Sequence, residues 1–482
     1  MVRSALVLFV KDEVQDIVAW IAWHLSLGVD KIFIYDDHST DGTYELSKLC
    51  AKFYNVEVFR TDLKIRHFYW RQADSYKRAC RAAIGKFDWI SFLDGDEYIA
   101  LEKEQDLNTY LEKFNDFNGI ALSWRIYGSN GRVVKSKAPP YEAYTRHCTK
   151  ELGDCEIGKV FIRPEAFTFD YGSPHHLTLI NECYANALGE KIEFTHGPGH
   201  KILWQGACVN HYVIRSMQDF VGKISKRINA DMIDSDGYYN HFNKNEIETL
   251  PSFELVQKAK EIIDFIKIES VKFFLKEEYA VSLLEKPHSD NKAAVYHVRS
   301  DHDAHLLLKK NAILVSQNFH QFYAEDNEVL CVCYPSNPQN AYFFSASKRQ
   351  IETRSFYFPD DNRLASALLF HMMAVDDRVV FQSPHSEHYM SCLPESAGGR
   401  VEINREIPSE WEKFKLEKIE DDHISFFADP SGVHDEESFS DFVQKNHQNL
   451  SYGDFLLAWN NLNPQSQNRI SSHHLGKMIA WL

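Results

Sequence analysis

Three carboxylates, those of Asp94, Asp96 and Glu97, directly follow a short apolar run. They belong to the segment WISFLDGDEY, residues 89–98. Hard oxygen ligands of this kind suit a divalent cation such as Mg²⁺ or Mn²⁺. In open α/β sheets, ligands bind at the edge formed by the carboxyl ends of the strands. An acidic surface turn is the alternative interpretation of the segment taken alone, so the rest of the chain has to decide between them.

A second acidic segment, YDDHSTD at residues 35–41, follows another apolar run. Asp36 and Asp37 can accept hydrogen bonds from a base N–H or from ribose hydroxyls, which a nucleotide offers. For Ser39 and Asp41, an Asx-type turn and a helix N-cap explain the residue types equally well. We therefore expect Asp36 or Asp37 to contact a nucleotide.

The elements that must position these segments alternate between strand and helix. Predicted strands cover residues 5–10, 31–35, 56–60 and 89–93, and predicted helices cover 16–27, a stretch ending at 49, and 72–84. Further predicted strands cover 120–126 and 159–163, and further helices cover 217–231 and roughly 252–284. The alternation predicts an α/β fold with a mostly parallel sheet.

The N-terminal segments together resemble glycosyltransferases of the GT-A fold, in the family 2-like and family 92-like (DUF23-type) branch. The opening pattern of that branch is carried by Glu13, Ile17, Trp20, Ile21, Trp23, His24 and Gly28. YDDHSTD matches its (Y/D)-D-x-S-x-D turn, and DGDEY takes the place of its D-x-D motif. Further matches follow in order at Gln72, at WRIYGSNG (124–131), at KVFIRP (159–164) and at NHYVIRSMQDFVGKISK (210–226).

The resemblance assigns roles to individual residues. Asp94 would contact ribose or metal, Asp96 would ligate Mn²⁺ or Mg²⁺ at the sugar-nucleotide diphosphate, and His211 would be the third protein ligand. Arg215 and Lys223 would bind the diphosphate, for which arginine offers bidentate contacts. The remaining residues expected to contact the donor are Glu13, Asp36, Asp37 and Gln72. The turn at Gly128 would allow close backbone approach to a ligand.

The resemblance also implies an inverting mechanism, in which a carboxylate deprotonates the acceptor hydroxyl. Four carboxylates are available downstream of the metal motif: Asp154, Glu156, Asp170 and Glu182. Asp170 and Glu182 are the preferred candidates for the catalytic base. His175 or His176 is expected to line the acceptor pocket.

A chain of 482 residues exceeds one ordinary core, so two or three domains are expected. KPHSDN at 286–291 is the predicted linker between a domain at 1–285 and a β-rich domain at 292–422, followed by a helical tail at 430–482. Three related segments begin at Ala304, Ala341 and His388, and their spacing of roughly 40 residues favours a threefold β-trefoil over a generic β-sandwich. With a closing strand at Trp411, this region resembles the fascin-type β-trefoil.

Composition narrows the classes of partner. The net charge is −16, with 69 acidic and 53 basic residues, which argues against nucleic acid. No stretch approaches the about 18–20 apolar residues of a membrane span, so no integral membrane segment is expected. Nine scattered cysteines indicate reduced thiols and a cytoplasmic location, with peripheral association with a membrane left open.

The resemblance therefore implies a hexosyltransferase-type enzyme of polysaccharide biosynthesis, with a UDP-sugar donor and a saccharide or glycoconjugate acceptor. One alternative is a catalytically inactive glycan-binding or scaffold protein with a degenerate transferase domain, which the intact DGDEY and His211 disfavour. Nucleotidyl transfer is a second alternative. It is disfavoured because ALVLFVKDE stands where a glycine-rich phosphate loop would be expected.

Overall fold

The computed structural model describes residues 2–103, 106–133, 135–193, 201–226, 235–283, 292–308, 314–317, 327–347, 350–351, 356–358, 363–365, 367–420 and 426–482. The chain divides into an N-terminal unit, Met1–Glu269 with Trp481, and a C-terminal unit, Ser270–Ala480 with Leu482. The division falls inside a long helix, Phe253–Tyr279. The predicted linker at 286–291 lies outside the described residues.

The N-terminal unit alternates strands and helices at its start, as predicted. Its strands are β1 Ser4–Val10, β2 Lys31–Asp36, β3 Val56–Arg60, β4 Trp89–Leu93, β5 Glu97–Leu101, β6 Gly119–Ile126, β7 Arg146–His147, β8 Gly158–Ile162, β9 Tyr184–Asn186, β10 Lys191–Ile192, β11 Ala207–His211 and β12 Ile247–Glu248. Its helices are α1 Ile17–Ser26, α2 Thr43–Phe53, α3 Phe68–Ala83, α4 Leu107–Leu111, α5 Pro140–Ala143, α6 Met217–Lys226, α7 Ser235–Phe242 and the first part of α8 Phe253–Tyr279.

The main sheet of this unit has the strand order β10-β9-β6-β8-β4-β1-β2-β3. Strands β4, β1, β2 and β3 are parallel to one another, whereas β8 runs antiparallel to β4 and β6. Every residue of β1 and β4 is buried, as in sheets covered on both faces. The predicted α/β class is confirmed. The carboxyl ends of β1, β2 and β4 therefore meet at one edge.

Helix α1 fixes the strand that follows the acidic motif. Trp20 Nε1 donates to the carbonyl of Glu97 at 2.9 Å, and Trp23 Nε1 donates to the carbonyl of Ile99 at 2.8 Å. His24 Nε2 accepts from the Ile99 amide at 3.3 Å, and burial lowers the pKa of His24 to about 3. The tryptophans and histidine of the opening motif thus hold the backbone of β5 in place.

The C-terminal unit consists of short strands followed by helices. Its strands are β13 Ala294–Ser300, β14 His305–Leu308, β15 Leu314–Gln317, β16 Asn327–Tyr334, β17 Asn337–Ser347, β18 Gln350–Ile351, β19 Phe356–Phe358, β20 Arg363–Ala365, β21 Ala367–Val375, β22 Arg378–Gln382, β23 Tyr389–Cys392, β24 Val401–Arg405 and β25 Phe414–Lys418. The helices are α9 Glu436–Lys445, α10 Tyr452–Asn461 and α11 Pro464–Ser472.

The β-rich region closes on itself. Antiparallel pairs join β13 to β16, β16 to β17, β17 to β21, β21 to β22, β22 to β25 and β25 back to β13. Hairpins β14–β15, β19–β20 and β23–β24 stand between these strands in the chain. Phe343, Phe370, Phe381 and Phe414 pack in its core. The region is a barrel, so the β-sandwich alternative does not describe it.

The predicted repeats fall unevenly on the barrel. The segments from Ala304 and His388 contain hairpins β14–β15 and β23–β24, whereas the segment from Ala341 lies mainly in β17. Residues 309–313, 318, 348–349 and 352–355 of these segments lie outside the described residues. The predicted closing strand at Trp411 is found as β25, after a 3₁₀ turn at Glu410–Glu412.

The helices of the predicted tail are amphipathic and pack inward. Phe455 and Leu457 of α10 are fully buried, and Leu457 shares a core cluster with Phe344 and Phe426. All nine cysteines are free. Within the described ranges, no helix has both the length and the apolar content that crossing a bilayer requires.

Candidate active site

A buried lysine lies at the centre of the acidic motif after β4. Lys159 of β8 is 1% exposed, and its Nζ lies 2.8 Å from Asp94 Oδ2 and 3.2 Å from Glu97 Oε2. Burial alone would lower the pKa of Lys159, but the two carboxylates hold it above its ordinary value. Glu97 also accepts from the Asp94 amide and from Trp124 Nε1. Glu97 and Lys159 therefore shape the loop that carries Asp94.

Asp96 and His211 lie side by side because of strand register. β11 runs antiparallel to β5 and places His211 opposite Glu97, one residue from Asp96. His211 Nε2 lies 3.6 Å from Asp96 Oδ1, and Lys223 Nζ donates to Asp96 Oδ2 at 3.1 Å. Burial would raise the pKa of Asp96, but Lys223 and His211 hold it well below its usual range. Asp96 is therefore an anion within reach of an imidazole.

The neighbouring basic residue, Arg215, is engaged within the protein. Its guanidinium is buried, lies 2.5 Å from Asp16 Oδ2 and 3.5 Å from Glu13 Oε2, and donates to the carbonyl of Gly95 at 3.4 Å. Burial raises the pKa of Glu13, and Arg215 partly opposes that effect. Arg215 therefore ties the amino end of α1 to the acidic loop.

At the end of β2, the two adjacent aspartates differ in their partners. Asp37 accepts from Arg71 Nε and Nη2 at 2.6 and 2.7 Å and from Thr61 Oγ1 at 2.6 Å. Although burial would raise the pKa of Asp37, these hydrogen bonds hold it below its usual value. Asp36 accepts from Arg60 and from the Ser39 amide through Oδ1, while its buried Oδ2 has no hydrogen bond partner among the described residues.

The other two polar residues of this segment accept hydrogen bonds from backbone amides. Asp41 Oδ1 accepts from the Thr43 amide at 3.0 Å, which forms an Asx-type turn before α2, and Asp41 Oδ2 accepts from the Val14 amide at 2.9 Å. Ser39 Oγ accepts from the Asp12 amide at 2.8 Å. The N-cap residue of α2 is Gly42, so the Asx-turn interpretation fits Asp41 and the N-cap interpretation fits neither residue.

Gln72 and Gly128, which were predicted to contact a ligand, contact other residues of the protein in this structure. Gln72 on α3 donates to Tyr76 and accepts from Tyr171 Oη at 3.3 Å. A Cβ on Gly128 would collide with the Lys244 carbonyl, so the close approach at this glycine is to residues 244–245.

The predicted catalytic bases lie on exposed loops. Asp170 is exposed beside Phe169, which has a positive φ of 63°. Glu182 accepts from the Leu179 amide at 2.8 Å and lies 3.3 Å from His176 Nε2. Among the described residues, the hydrogen bonds and ion pairs of these two carboxylates do not reach the acidic motif. Of the alternatives, Asp154 pairs with His241 at 2.8 Å.

His175 lies next to the acidic motif instead. Its Nδ1 is 2.9 Å from the Gly158 carbonyl, and its ring packs edge-on against Trp124 at 5.0 Å. Trp124 in turn contacts the His211 ring at 4.5 Å. Burial and Lys159 lower the pKa of His175 to about 4, so this imidazole is neutral at pH 7. A hydrogen bond from Nδ1 to Gly158 leaves Nε2 as an acceptor.

The residues at this edge fit a divalent cation in part. Asp96 and His211 provide one carboxylate oxygen and one ring nitrogen 3.6 Å apart, and in the part of the chain that the structure describes the buried His211 Nδ1 has no hydrogen bond partner. Asp94 is 39% exposed and points one oxygen at Lys159. The three predicted ligands do not all converge within 4.8 Å, whereas in the described part of the chain His297, His305 and Glu328 do.

Sequence reasoning overlooked the roles of Lys159, Trp124 and Asp16. Lys159 and Trp124 stood within recognised motifs, but their contacts with Glu97 depend on pairing across β4, β6 and β8. Asp16 carried no signal beyond its position before α1, although it pairs with both Arg215 and Lys135.

Comparison with known proteins agrees with the resemblance. The family model described as Glycosyltransferase family 92 matches residues 4–176, less than half of the chain. The Arabidopsis thaliana glycosyltransferase family 92 protein At1g27200 is 28% identical over 239 residues, which cover 47% of this chain and 38% of that protein. The Ricinus communis family 92 protein RCOM_0530710 is 28% identical over 223 residues, covering 44% and 35%. The alignments thus span little more than a third of these relatives.

Solved structures give weaker similarity. S. aureus TarS 1-349 aligns with 13% identity and a TM-score of 0.25, covering 58% of this chain and 87% of that one. Glucosyl-3-phosphoglycerate synthase from Mycobacterium tuberculosis aligns with 16% identity and a TM-score of 0.21, covering 34% and 58%. TM-scores this low do not establish a common fold.

Proposed function

We propose that the N-terminal unit is a metal-dependent GT-A glycosyltransferase of the hexosyltransferase type. It would move a sugar from a UDP-sugar to a hydroxyl of a saccharide or glycoconjugate acceptor, with inversion. The observation that carries the proposal is the juxtaposition of Asp96 and His211 at the carboxyl edge of the sheet. The family 92 match over residues 4–176 supports the same reaction class.

Asp96 and His211 would hold Mn²⁺ or Mg²⁺, and a cation there neutralises charge on the departing diphosphate. Lys223, which now donates to Asp96, would add its positive charge to that task. Asp94 keeps one oxygen away from Lys159, which suits it to a ribose hydroxyl. Arg215 would act by positioning Glu13 and the acidic loop, because its guanidinium is already paired.

The nucleoside would be recognised by the β2 edge. Asp36 is the stronger candidate there because its Oδ2 has no hydrogen bond partner within the described ranges. Asp37 would contact a nucleotide only at the expense of its hydrogen bonds to Arg71. Gln72 would take part through the pair that it forms with Tyr171.

For the acceptor side we retain Asp170 and Glu182 as proposed bases and add His175. His175 contacts Trp124, and its Nε2 is suited to accept a hydrogen bond from an acceptor hydroxyl. A general base contributes typically about 10²- to 10⁴-fold. Comparing kcat for Asp170→Asn, Glu182→Gln and His175→Gln therefore identifies the base, because a residue that only positions the acceptor changes mainly KM.

We also propose that the barrel is a β-trefoil that binds the acceptor glycan. The closed ring of six strands and the three intervening hairpins support this topology. The cytoplasmic location remains a prediction.

A thermal-shift screen tests the donor first. The melting temperature of the protein is measured with UDP-, GDP- and CDP-sugars, each with and without Mn²⁺. We expect a metal-dependent shift of the melting temperature with a UDP-sugar. UDP release is then measured for wild type, Asp96→Ala and Asp116→Asn, the last being an exposed carboxylate before β6. No shift with any donor plus metal would count against an enzyme and favour the scaffold alternative.

A further inference from the structure

A second group of metal-ligating side chains lies in the C-terminal unit, at the β13–β14 hairpin and the adjoining strand β16. β14 pairs with both β13 and β16, so residues far apart in sequence become neighbours. His297, His305 and Glu328 meet there, and one ligand atom from each lies within 4.8 Å of the others. None of these residues belongs to the N-terminal site.

The contacts within this His–Glu cluster converge on one atom. His297 Nδ1 lies 2.6 Å from Glu328 Oε1, and His305 Nδ1 lies 2.7 Å from the same oxygen. The two imidazole rings are edge to face, with centroids 5.8 Å apart. Without a metal, this arrangement requires a proton on each Nδ1, and both protons point at Glu328 Oε1.

The burial of these side chains distinguishes the cluster from a chance grouping of surface residues. The His305 side chain is 5% exposed and that of Glu328 is 18% exposed, whereas His297 is 35% exposed. The neighbouring cation, Arg299, is itself paired with Glu417 at 2.7 Å.

We propose that His297, His305 and Glu328 bind one Zn²⁺-class transition-metal ion that fastens the β13–β14 hairpin to β16. Two imidazoles and one carboxylate favour zinc over Mg²⁺ or Ca²⁺, which prefer all-oxygen ligands. Three protein ligands leave a coordination position for water on the His297 side. On binding, each Nδ1 gives up its proton: a neutral histidine carries the proton on Nε2 instead, and an imidazolium releases it to solvent. This proposal does not depend on the proposed transferase activity.

A hydrogen-bonded network without metal is the rival explanation, and zinc retention separates the two. Full-length protein is loaded with Zn²⁺, dialysed, and assayed for zinc content. Wild type should retain one zinc equivalent more than Glu328→Gln or His305→Gln. The matched control is His371→Gln, an exposed histidine of β21 that contacts Asn340. It should retain as much zinc as wild type.

Zinc affinity, measured by competition with a chelating dye, should fall on the order of 100-fold or more in the ligand variants. If His305→Gln does not fold, His297→Gln replaces it, because His297 is the more exposed of the two histidines. Far-ultraviolet circular dichroism verifies that the variant folds without metal. Co²⁺ substitution should give intense visible absorption that His297→Gln abolishes. Equal zinc retention in wild type, Glu328→Gln and His297→Gln would overturn the proposal.

Discussion

Two groups of carboxylates lie at the same edge of the N-terminal sheet, and they differ in what neutralises them. After β2, the oxygens of Asp37 and Asp41 are taken up by Arg71, by Thr61 and Thr43, and by a backbone amide. After β4, Asp96 faces a lysine and an imidazole nitrogen that is 3.6 Å away and outside hydrogen-bond range.

The partners of each carboxylate distinguish structural from functional acidic residues better than the residue type does. A buried carboxylate with a bidentate arginine is costly to disrupt, because either partner alone is an uncompensated charge. A carboxylate held by the end of a lysine side chain can exchange that partner for a cation at lower cost. We therefore expect Asp37 and Asp41 to govern stability and Asp96 to govern activity.

The largest effect is expected from Asp96→Asn. Losing a metal ligand should lower kcat/KM for the UDP-sugar on the order of 1000-fold, equivalent to about 4 kcal/mol of transition-state stabilisation. The Tm should stay close to that of wild type, since in the described part of the chain the ion pairs of the Asp96 side chain are those with Lys223 and His211. A steady-state assay beside a thermal melt measures both quantities, and a variant that loses stability but keeps kcat/KM would reverse the comparison.

The next largest effect is expected from Asp37→Asn. Breaking the buried pair with Arg71 should reduce the free energy of unfolding by about 3 kcal/mol, measured by urea denaturation. UDP affinity of the folded variant should be retained. A loss of UDP affinity without a loss of stability would instead make Asp37 a nucleotide ligand.

The same pair predicts a pH dependence. Because the folded-state pKa of Asp37 is lowered, its contribution is complete above the unfolded value of about 3.9 and is lost as pH falls through the folded value. The difference in unfolding free energy between wild type and Asp37→Asn should be constant from pH 5 to 8, as roughly expected from these pKa values. It should shrink below about pH 4, and a difference that grows on acidification would contradict the assignment.

The smallest effect is expected from Asp41→Ala. Losing its hydrogen bonds from the Thr43 and Val14 amides should cost about 1 kcal/mol of stability and leave UDP turnover unchanged. Asp41→Asn, which keeps a side-chain oxygen, serves as the matched control and should recover most of the loss. A large drop in turnover for both variants would move Asp41 into the active site.

Strands β1, β2 and β4 were predictable because they are short, buried apolar runs bounded by polar turns. The predicted strands at 56–60 and 89–93 coincide with β3 and β4. Local pattern could not reveal that His211 lies opposite Glu97, since that depends on antiparallel register between segments more than a hundred residues apart. For the same reason the role of Lys159, which comes from β8, was not foreseen.

The C-terminal barrel was less predictable for a related reason. Its alternating strands indicated β structure, but the repeat beginning at Ala341 fell mainly on β17, with its partner β18, and not on the hairpin β19–β20. Closure between β13 and β25 joins the two ends of the region and has no local signature. The His–Glu cluster depends on that non-local pairing as well.

Mn²⁺ binding tests most directly whether Asp96 and His211 form a divalent cation site for a nucleoside diphosphate. Electron paramagnetic resonance of free Mn²⁺ is recorded with wild type, Asp96→Ala, His211→Ala and Asp116→Asn, each with and without UDP. If the two residues form this site, the free Mn²⁺ signal should fall on addition of UDP for wild type and Asp116→Asn only. Equal binding of Mn²⁺ and UDP by Asp96→Ala and His211→Ala would contradict it.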